Sequence, residues 1–286
     1  MLEFEKINGT YLIGEIGINH NGEIEIAKKL IDAAYAIGWD CVKFQKRNPD
    51  ICIPADQKKV MKSTPWGEMT YLEYKKKIEF DKVKYDLIND YCSNKSQPMH
   101  WSASVWDMDS LKFILDYNVP FIKIPSAMVT DIDLIKESSK SNKPIILSTG
   151  MSTLDEIDNA VNEISKNTHN LCILHSNSCY PAKSKDLNLS LIPFYIKRYQ
   201  YTIGYSGHEF SIEPSVIATA LGAKVVERHI TLNQELWGTD QKASLSITGM
   251  DRLYNRIKDA HLSIGKPEKI VTKDEMEIRK KLRKKL

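Results

Sequence analysis

Residues 99–149, MHWSASVWDMDSLKFILDYNVPFIKIPSAMVTDIDLIKESSKSNKPIILST, alternate between short apolar runs and longer segments of helical periodicity. Three runs have the length and composition of buried strands, at 99–104, 121–125 and 144–149. The segments between them, 107–117 and 130–141, place apolar residues on one helical face. Because strands that are apolar on both faces are typical of parallel sheets, this stretch predicts consecutive β-α-β units.

The same alternation continues on both sides of this stretch. Five more strand-like runs lie at 11–17, 41–45, 171–176, 201–206 and 224–230, and helical patterns lie at 23–38, 81–94, 153–166, 187–199, 211–222 and 248–264. Eight strand–helix units predict an α/β fold, a single-domain (β/α)8 TIM barrel, over residues 1–267. Residues 46–80 are irregular apart from a helical stretch near 70–78, and a long excursion after a strand is often functional.

The composition excludes several classes of protein. Of the 286 residues, 42% are hydrophobic and 27% are charged, which is ordinary for a globular chain that buries a core. No apolar run approaches the roughly 18 residues of a membrane span, and the N-terminus lacks the pattern of a secretory signal. The five cysteines are widely spaced without a C-x-x-C pair, which is typical of a reducing compartment and predicts a cytoplasmic protein.

The positive charge is concentrated near the C-terminus. Residues 273–286 carry seven Lys and Arg against three Asp and Glu, so the rest of the chain has a net charge of −1 within a total of +3. The barrel is therefore not expected to bind nucleic acid. We interpret residues 268–286 as a basic helical tail that either docks through one apolar stripe or contacts a partner or a membrane surface. The stripe consists of Met276, Ile278, Leu282 and Leu286.

Polar and ionisable residues follow almost every predicted strand. In a parallel barrel the chemistry takes place where the strands end, so these residues are candidates for one site. Lys43 and Lys123 lie on apolar strands, where an ammonium group is costly unless an anion neutralises it. With nearby hydroxyls, two lysines would suit a phosphate and a carboxylate. The alternative is that both lysines pair with Glu15 and Glu227.

His208 and His229 close the last two predicted strands. Neighbouring strands of a barrel bring such ends within reach of one divalent ion, although on spacing alone core or surface histidines are the alternative. Glu15 could act as a general base, orient a sugar hydroxyl or pair with Lys43. The sequence has no Walker loop, G-x-G-x-x-G or G-x-S-x-G motif, which disfavours nucleotide binding and a nucleophilic serine.

Eight strings of residues, taken in order, resemble the N-acetylneuraminate (sialic acid) synthase family. They are GEIGINHNG (14–22), VKFQKR (42–47), FIKIPS (121–126), KPIILSTGMS (143–152), LHSNSCYP (174–181), IGYSGH (203–208), VERHITL (226–232) and WGTDQKASL (237–245). The resemblance implies a (β/α)8 barrel that condenses phosphoenolpyruvate with an open-chain N-acylhexosamine such as N-acetylmannosamine. The products would be a sialic acid or related nonulosonate and phosphate.

The resemblance also implies roles for particular residues. His208 and His229 match the family's ligands of a divalent metal, usually Mn²⁺, with Mg²⁺ or Co²⁺ as alternatives. The lysines and hydroxyls that hold phosphoenolpyruvate match Lys43, Ser104, Lys123, Ser126, Ser178 and Ser206. Contacts to the sugar match Gln45, Tyr180 and Asp240, and Glu15 matches the active-site glutamate.

Two departures from the family pattern concern the acceptor sugar. Family members usually end in an antifreeze-like domain that covers the partner's active site, whereas this sequence stops at Leu286. A homodimer and a separate lid subunit therefore both stay open. Thr239 and Gln241 stand where many members have Pro and His, so the acceptor is expected to differ. A hexosamine 6-phosphate and a pentose 5-phosphate are the alternatives.

Two further classes of function remain on the same fold. A metal-dependent hydrolase would need additional ligands such as an H-x-H pair on the first strand, and the sequence has none there. A noncatalytic sugar-binding barrel is the other alternative. The intact set Lys43, Lys123, His208 and His229 argues against a barrel that has lost its activity, because drift would not preserve a matched set of costly buried charges.

Overall fold

Eight parallel strands close into a barrel in the computed structural model, which describes residues 2–284. The strands of this part of the chain are β1 (Tyr11–Gly17), β2 (Cys41–Lys46), β3 (Met61–Thr64), β4 (Gly67–Thr70), β5 (His100–Val105), β6 (Ile122–Ile124), β7 (Ile145–Ser148), β8 (Leu171–Ser176), β9 (Thr202–Gly207) and β10 (Val225–His229). The barrel order is β1-β10-β9-β8-β7-β6-β5-β2. The predicted (β/α)8 barrel is confirmed, and each of the eight predicted strands ends within one residue of its observed bounds.

Residues 2–284 also contain eleven α-helices, most of which pack around the barrel. They are α1 (Ile24–Ile37), α2 (Pro49–Cys52), α3 (Tyr71–Ile78), α4 (Lys82–Ser93), α5 (Met108–Leu115), α6 (Ile132–Ser139), α7 (Leu154–Ser165), α8 (Leu191–Tyr199), α9 (Glu213–Ala220), α10 (Ile247–Ile264) and α11 (Lys273–Leu282). Local signals set several of their ends. Helix α1 stops where Gly38 adopts a left-handed φ of 100°, and α7 begins with a capping box of Thr153 and Glu156.

Apolar side chains form two layers. The outer layer lies between the strands and the helices and includes Leu30, Ile88 and Leu111, all buried. The inner layer fills the N-terminal end of the barrel, and we call it the barrel floor. Its members are Phe4, Tyr11, Ile13, Cys41, Phe121, Ile146, Cys172, Leu174 and Val225. The N-terminal segment closes this end, because Asn170 accepts from the Phe4 N–H at 3.2 Å and donates to the Leu2 carbonyl at 2.7 Å.

The excursion after β2 contains structure that the sequence pattern did not reveal. Strands β3 and β4 form an antiparallel hairpin, with Met61 opposite Thr70 and Thr64 opposite Gly67. Both strands are short and mostly exposed, so they lack the buried apolar run on which strand prediction depends. The helical stretch expected near 70–78 is present as α3, which begins with a capping box of Thr70 and Glu73.

The tail forms the predicted helix, α11, but its apolar stripe does not dock. Ile278 is 53% exposed and Leu282 is 76% exposed, and no residue of α11 is buried. The fourth residue of the predicted stripe, Leu286, lies outside the described residues. Within residues 2–284, no helix combines the length and the apolar composition that crossing a membrane would require.

Candidate active site at the C-terminal end of the barrel

The pleat of the strands decides which side chains enter the barrel. Alternate residues of a strand face the same side, so the inward positions of β2 are Cys41, Lys43 and Gln45. In β2 the first inward residue, Cys41, belongs to the barrel floor, and the next two are polar. The same step occurs from Ile13 to Glu15 on β1 and from Val225 to Glu227 on β10. The sequence therefore delivers apolar residues to one end of the barrel and ionisable groups to the other.

Four buried charges form the centre of the site. The Nζ atom of Lys43 lies 2.5 Å from Glu15 Oε2 and 3.7 Å from Glu227 Oε1, and Lys123 Nζ lies 3.4 Å from the same Glu227 oxygen. All four side chains are 7% exposed or less. Both pairings that the sequence left as an alternative are thus present. They do not exclude a ligand, because the lysines and Glu15 also line a common cavity.

The two lysines differ in their electrostatic environment. Burial alone would lower the pKa of Lys43, but the charges of Glu15 and Glu227 outweigh it and the pKa is raised. Burial lowers the pKa of Lys123, since Glu227 compensates for it only in part and the charge of Lys43 adds to the effect. Burial would raise the pKa of Glu227, but the two ammonium groups hold it below its usual range. Lys43 is therefore the firmly charged member of the pair.

Serine hydroxyl groups line the wall of the same cavity as Lys123, and Gly150 packs behind two of them. Ser126 Oγ accepts from the Gly150 N–H at 3.0 Å, and a Cβ atom on Gly150 would lie 2.2 Å from Ser178 Oγ. Glycine is therefore required for the close approach of these serines. Ser104 accepts from the Trp106 indole at 3.2 Å, and Ser206 donates to Glu227 at 3.4 Å. Such a cradle of donors next to lysines is suited to an oxyanion such as phosphate.

Two imidazoles face each other across the mouth of the barrel. The rings of His208 and His229 are 5.5 Å apart, and Tyr180 packs on both of them. Burial and the charge of His229 lower the pKa of His208 to about 3, so that ring is neutral. Its Nδ1–H donates to the Asn177 carbonyl at 2.6 Å, which leaves Nε2 as the nitrogen with a lone pair; the Tyr180 hydroxyl donates to it at 2.8 Å.

This pair of imidazoles has the donor chemistry of a transition-metal site. The Nδ1 atom of His229 is buried and has no hydrogen-bond partner within residues 2–284, and Asp240 Oδ2 lies 3.8 Å from it. Neutral imidazole nitrogens suit Mn²⁺, Zn²⁺ and Fe²⁺. The described residues contain no group of three or more His, Cys, Asp or Glu side chains arranged as a metal site. The chain would therefore supply two ligands and leave the other positions to water or substrate.

The structure brings the residues singled out from the sequence together. Eleven of them line one cavity of about 170 Å³, namely Glu15, Lys43, Gln45, Ser104, Lys123, Ser126, Ser178, Tyr180, Ser206, His208 and His229. Asp240 lies at the rim of this cavity, next to His229. The cavity is also lined by Glu227, which the sequence offered only as a pairing partner, and by Ser148 and Met151, which lie in the string at 143–152 but were given no role. Trp106 also lines it and lies outside every quoted string.

Comparison with known proteins gives the same picture over almost the whole chain. The model of the NeuB family matches residues 30–269. N-acetylneuraminate-9-phosphate synthase of Mus musculus is 34% identical over 275 residues, which are 95% of this chain and 76% of that protein. N,N'-diacetyllegionaminic acid synthase of Campylobacter jejuni is 35% identical and is matched over 93% of this chain and 80% of its own length.

A solved structure shows the same fold. The N-acetylneuraminic acid (sialic acid) synthetase of Leptospira borgpetersenii, in complex with citrate, superimposes with a TM-score of 0.85 at 27% identity. The superposition covers 97% of this chain and 94% of that one. The family match, the two synthases and the fold agree with the strings of residues that form the cavity. The chain therefore belongs to the NeuB family, as an enzyme of the same class as these synthases.

Proposed function

We propose that this protein condenses phosphoenolpyruvate with an open-chain N-acylhexosamine to give a nonulosonate and phosphate. One observation carries the proposal: two buried lysines, the serines that pack against Gly150 and two imidazoles line the same cavity at the C-terminal end of the barrel. The lysines and the cradle match the two anionic groups of phosphoenolpyruvate, and the imidazoles lie where an aldehyde would enter beside them.

The binding of phosphoenolpyruvate uses groups that are already in place. Lys43 and Lys123 offer ammonium groups to the carboxylate and the phosphate, and the hydroxyls of Ser126 and Ser178 offer further donors, with the Ser126 oxygen positioned by the Gly150 N–H. Because these groups are held by strands and by each other, they need little reorganisation during the reaction. Displacement of Glu227 from Lys123, which it contacts at only 3.4 Å, would free that ammonium for the substrate.

The acceptor aldehyde would bind between phosphoenolpyruvate and the two imidazoles. We assign His208 and His229 as ligands of a divalent ion, Mn²⁺ by preference, with Mg²⁺ or Co²⁺ as alternatives. When bound, such an ion acts as a Lewis acid toward the aldehyde oxygen. Tyr180, packed on both rings, and Gln45, which donates to Glu15 at 3.0 Å, would orient the hydroxyls of the sugar.

The bond changes balance with one water molecule. The C3 atom of phosphoenolpyruvate forms a bond to the aldehyde carbon, whose oxygen gains a proton, and C2 becomes electron-deficient. Water adds to C2 and loses a proton, for which Glu15 is our candidate acceptor, since it is 2% exposed and is held in the cavity by Gln45 on Oε1 and by Lys43 on Oε2. The tetrahedral intermediate then expels phosphate: its C2–O bond breaks, the C2 hydroxyl becomes the keto group, and the hydroxyl proton leaves with the phosphate. Lys43 and Lys123 stabilise the negative charge.

The test is phosphate release from phosphoenolpyruvate with Mn²⁺ across mannosamine derivatives, their 6-phosphates and arabinose 5-phosphate. We expect release with an N-acylhexosamine, and loss of it in His208→Ala and in His229→Ala. Glu15→Gln should abolish turnover but keep phosphoenolpyruvate binding. Undiminished activity of both histidine variants would remove the metal role. If none of the acceptors supports phosphate release, a noncatalytic sugar-binding barrel or a separate lid subunit is favoured.

The remaining parts of the proposal concern the compartment in which the enzyme acts, its oligomeric state and the division of its chain. Five cysteines, all free within the described residues, suit a reducing compartment, and we propose the cytoplasm. A homodimer and a separate lid subunit stay predictions, as does the division of the chain into a barrel at 1–267 and a tail at 268–286. Gel filtration with and without the acceptor sugar would distinguish a monomer from a dimer.

A further inference from the structure

Lys75 is a buried cation at the mouth of the barrel that the proposed mechanism does not use. It lies on α3 and is 6% exposed, whereas the next residue, Lys76, is exposed and paired with Asp50 at 2.8 Å. The Lys75 Nζ atom stands over the rings of Tyr71 and Tyr74, at 5.3 and 5.1 Å from their centroids. Within residues 2–284, this ammonium has no hydrogen-bond acceptor and no carboxylate within ion-pair distance.

Arg47 is a second cation with unused donor capacity in the same place. Its Nε is buried without a partner in the described part of the chain, while its Nη2 donates to Gln45 Oε1 and its plane stacks on Trp106 at 4.4 Å. Burial, with the charge of Arg47 added, lowers the pKa of Lys75 to about 8. The charged forms of two cations that repel each other in this way are stabilised when an anion binds between them.

These cations continue directly from the candidate active site. Gln45 connects Arg47 to Glu15, and Asp240, 3.8 Å from His229, lies close enough to Lys75 for its charge to act on it. An acyclic sugar whose aldehyde lies at His229 would pass Asp240 and reach Lys75 with its other end. The nearby carboxylate of Glu79 is already engaged, since it accepts from Lys46 at 2.9 Å and from the Arg47 N–H at 3.1 Å.

We propose that Lys75 and Arg47 bind a phosphate group at the end of the acceptor sugar furthest from its aldehyde. This inference rests on the proposed function and deepens it, because it makes the acceptor an N-acylhexosamine 6-phosphate. A neutral hydroxyl at this end would leave the buried Lys75 ammonium without a counter-ion and the buried Arg47 Nε without an acceptor, which is costly. A dianionic phosphate accepts charge-assisted hydrogen bonds from both Lys75 Nζ and Arg47 Nε.

The test measures binding with probes that cannot react. N-acetylmannosaminitol and N-acetylmannosaminitol 6-phosphate have an alcohol in place of the aldehyde, and calorimetry in saturating phosphoenolpyruvate gives the Kd of each. We expect the phosphorylated probe to bind about 10- to 100-fold tighter to the unaltered protein, the factor that a charged hydrogen-bond pair supplies. Lys75→Met, and separately Arg47→Gln, should lower this ratio by about tenfold or more. Lys76→Met, on the exposed side of the same helix, should keep it.

The outcomes separate this inference from the proposed function. Equal affinity for both probes, or a Lys75→Met variant that weakens both probes alike, would overturn the phosphate site, since the second result indicates a structural role only. Parallel assays of phosphate release with the two aldehydes test the function itself. If neither aldehyde supports release while the Lys75-dependent preference persists, the condensation proposal fails and the phosphate site stands.

Discussion

The two ends of the barrel are built from the same eight strands but have opposite chemistry. The barrel floor, from Phe4 to Val225, is apolar and closed by the N-terminal segment. Two residues further along the strands, the inward positions carry Lys43, Glu15 and Glu227, buried to a similar degree. A larger cavity, of about 800 Å³, opens beside the floor around His100 and contains none of the candidate site residues. Our assignment of the active site to the charged end therefore rests on its chemistry and not on the size of its cavity.

The contrast also shows what each end contributes. Apolar burial at the floor stabilises the fold directly. Buried ion pairs gain little over apolar residues of the same volume, because the loss of hydration offsets their attraction. A chain selected for stability alone would continue the apolar layers to the mouth of the barrel. The four charges at Glu15, Lys43, Lys123 and Glu227 are better explained by a ligand that they bind.

The largest expected effect comes from breaking the charged end at Lys43. Lys43→Met leaves the Glu15 carboxylate buried without its cation, so the free energy of unfolding should fall by about 3–5 kcal/mol. Turnover should fall by about 10²–10³-fold, since a preorganised group for the developing charge is lost. Denaturant unfolding and steady-state phosphate release measure the two effects.

A double variant separates stability from function at this pair. Glu15→Gln combined with Lys43→Met removes both charges and should recover most of the lost stability while turnover stays low. Recovery of turnover together with stability would show that the pair serves only the fold. That result would contradict the contrast between the two ends.

The matching experiment at the floor is Phe4→Ala. Phe4 is 2% exposed and fills the closed end of the barrel, so its removal should cost about 3–5 kcal/mol of unfolding free energy. The kcat and KM for phosphoenolpyruvate, measured where the variant is still fully folded, should not change. A loss of kcat in the folded variant would mean that the floor positions the lysines above it.

The sequence was sufficient for the barrel and for most of the site because both follow from local pattern. Short apolar runs define the strands, and the pleat then fixes that Lys43 and His229 point inward at the same end. Lys75 could not be predicted in this way. In the stretch YLEYKKKI (71–78) three successive lysines look alike, and only the packing of α3 decides that Lys75 is buried and Lys76 exposed.

The hairpin β3–β4 was missed for a related reason. Its residues are largely exposed and of mixed polarity, so periodicity carries little signal, and the hairpin depends on the turn from Thr64 to Gly67.

The role of Glu227 shows a different limit of prediction from sequence. The sequence offered it as a partner of a lysine, but only the closed barrel shows that one carboxylate serves both Lys43 and Lys123.

A smaller effect is expected from filling the serine–glycine cradle. In Gly150→Ala the new Cβ would meet Ser178 Oγ at 2.2 Å and Ser126 Oγ at 3.0 Å, so the two serines must move apart. The KM for phosphoenolpyruvate should rise by about 10- to 100-fold, the cost of one to two charged hydrogen bonds. Gly249→Ala is the matched control, because its Cβ would make ordinary contacts at 3.4 Å and beyond. An unchanged KM in Gly150→Ala would exclude this wall from the phosphate site.

The smallest predicted effect is a pH dependence of the preference for the phosphorylated probe. It is caused by the titration of Lys75 at the mouth of the barrel. Because the pKa of Lys75 is lowered to about 8, its ammonium is mostly charged at pH 7 and mostly neutral at pH 9. The charged form binds phosphate, so the preference for the phosphorylated probe should fall by at most about tenfold as the pH rises between these values. The phosphate itself stays dianionic there, since its second pKa is about 6.

The control for this titration is Lys75→Met, in which the preference should be small and constant between pH 7 and 9. The other charged groups that face Lys75 are Arg47, Asp240, Glu79 and Lys62. Any pH dependence that they cause persists in the variant and can be subtracted. Burial raises the pKa of Tyr71 and Tyr74, so the flanking phenols stay protonated over this range. A preference that falls equally in both proteins would assign the titration to one of these neighbours and not to Lys75.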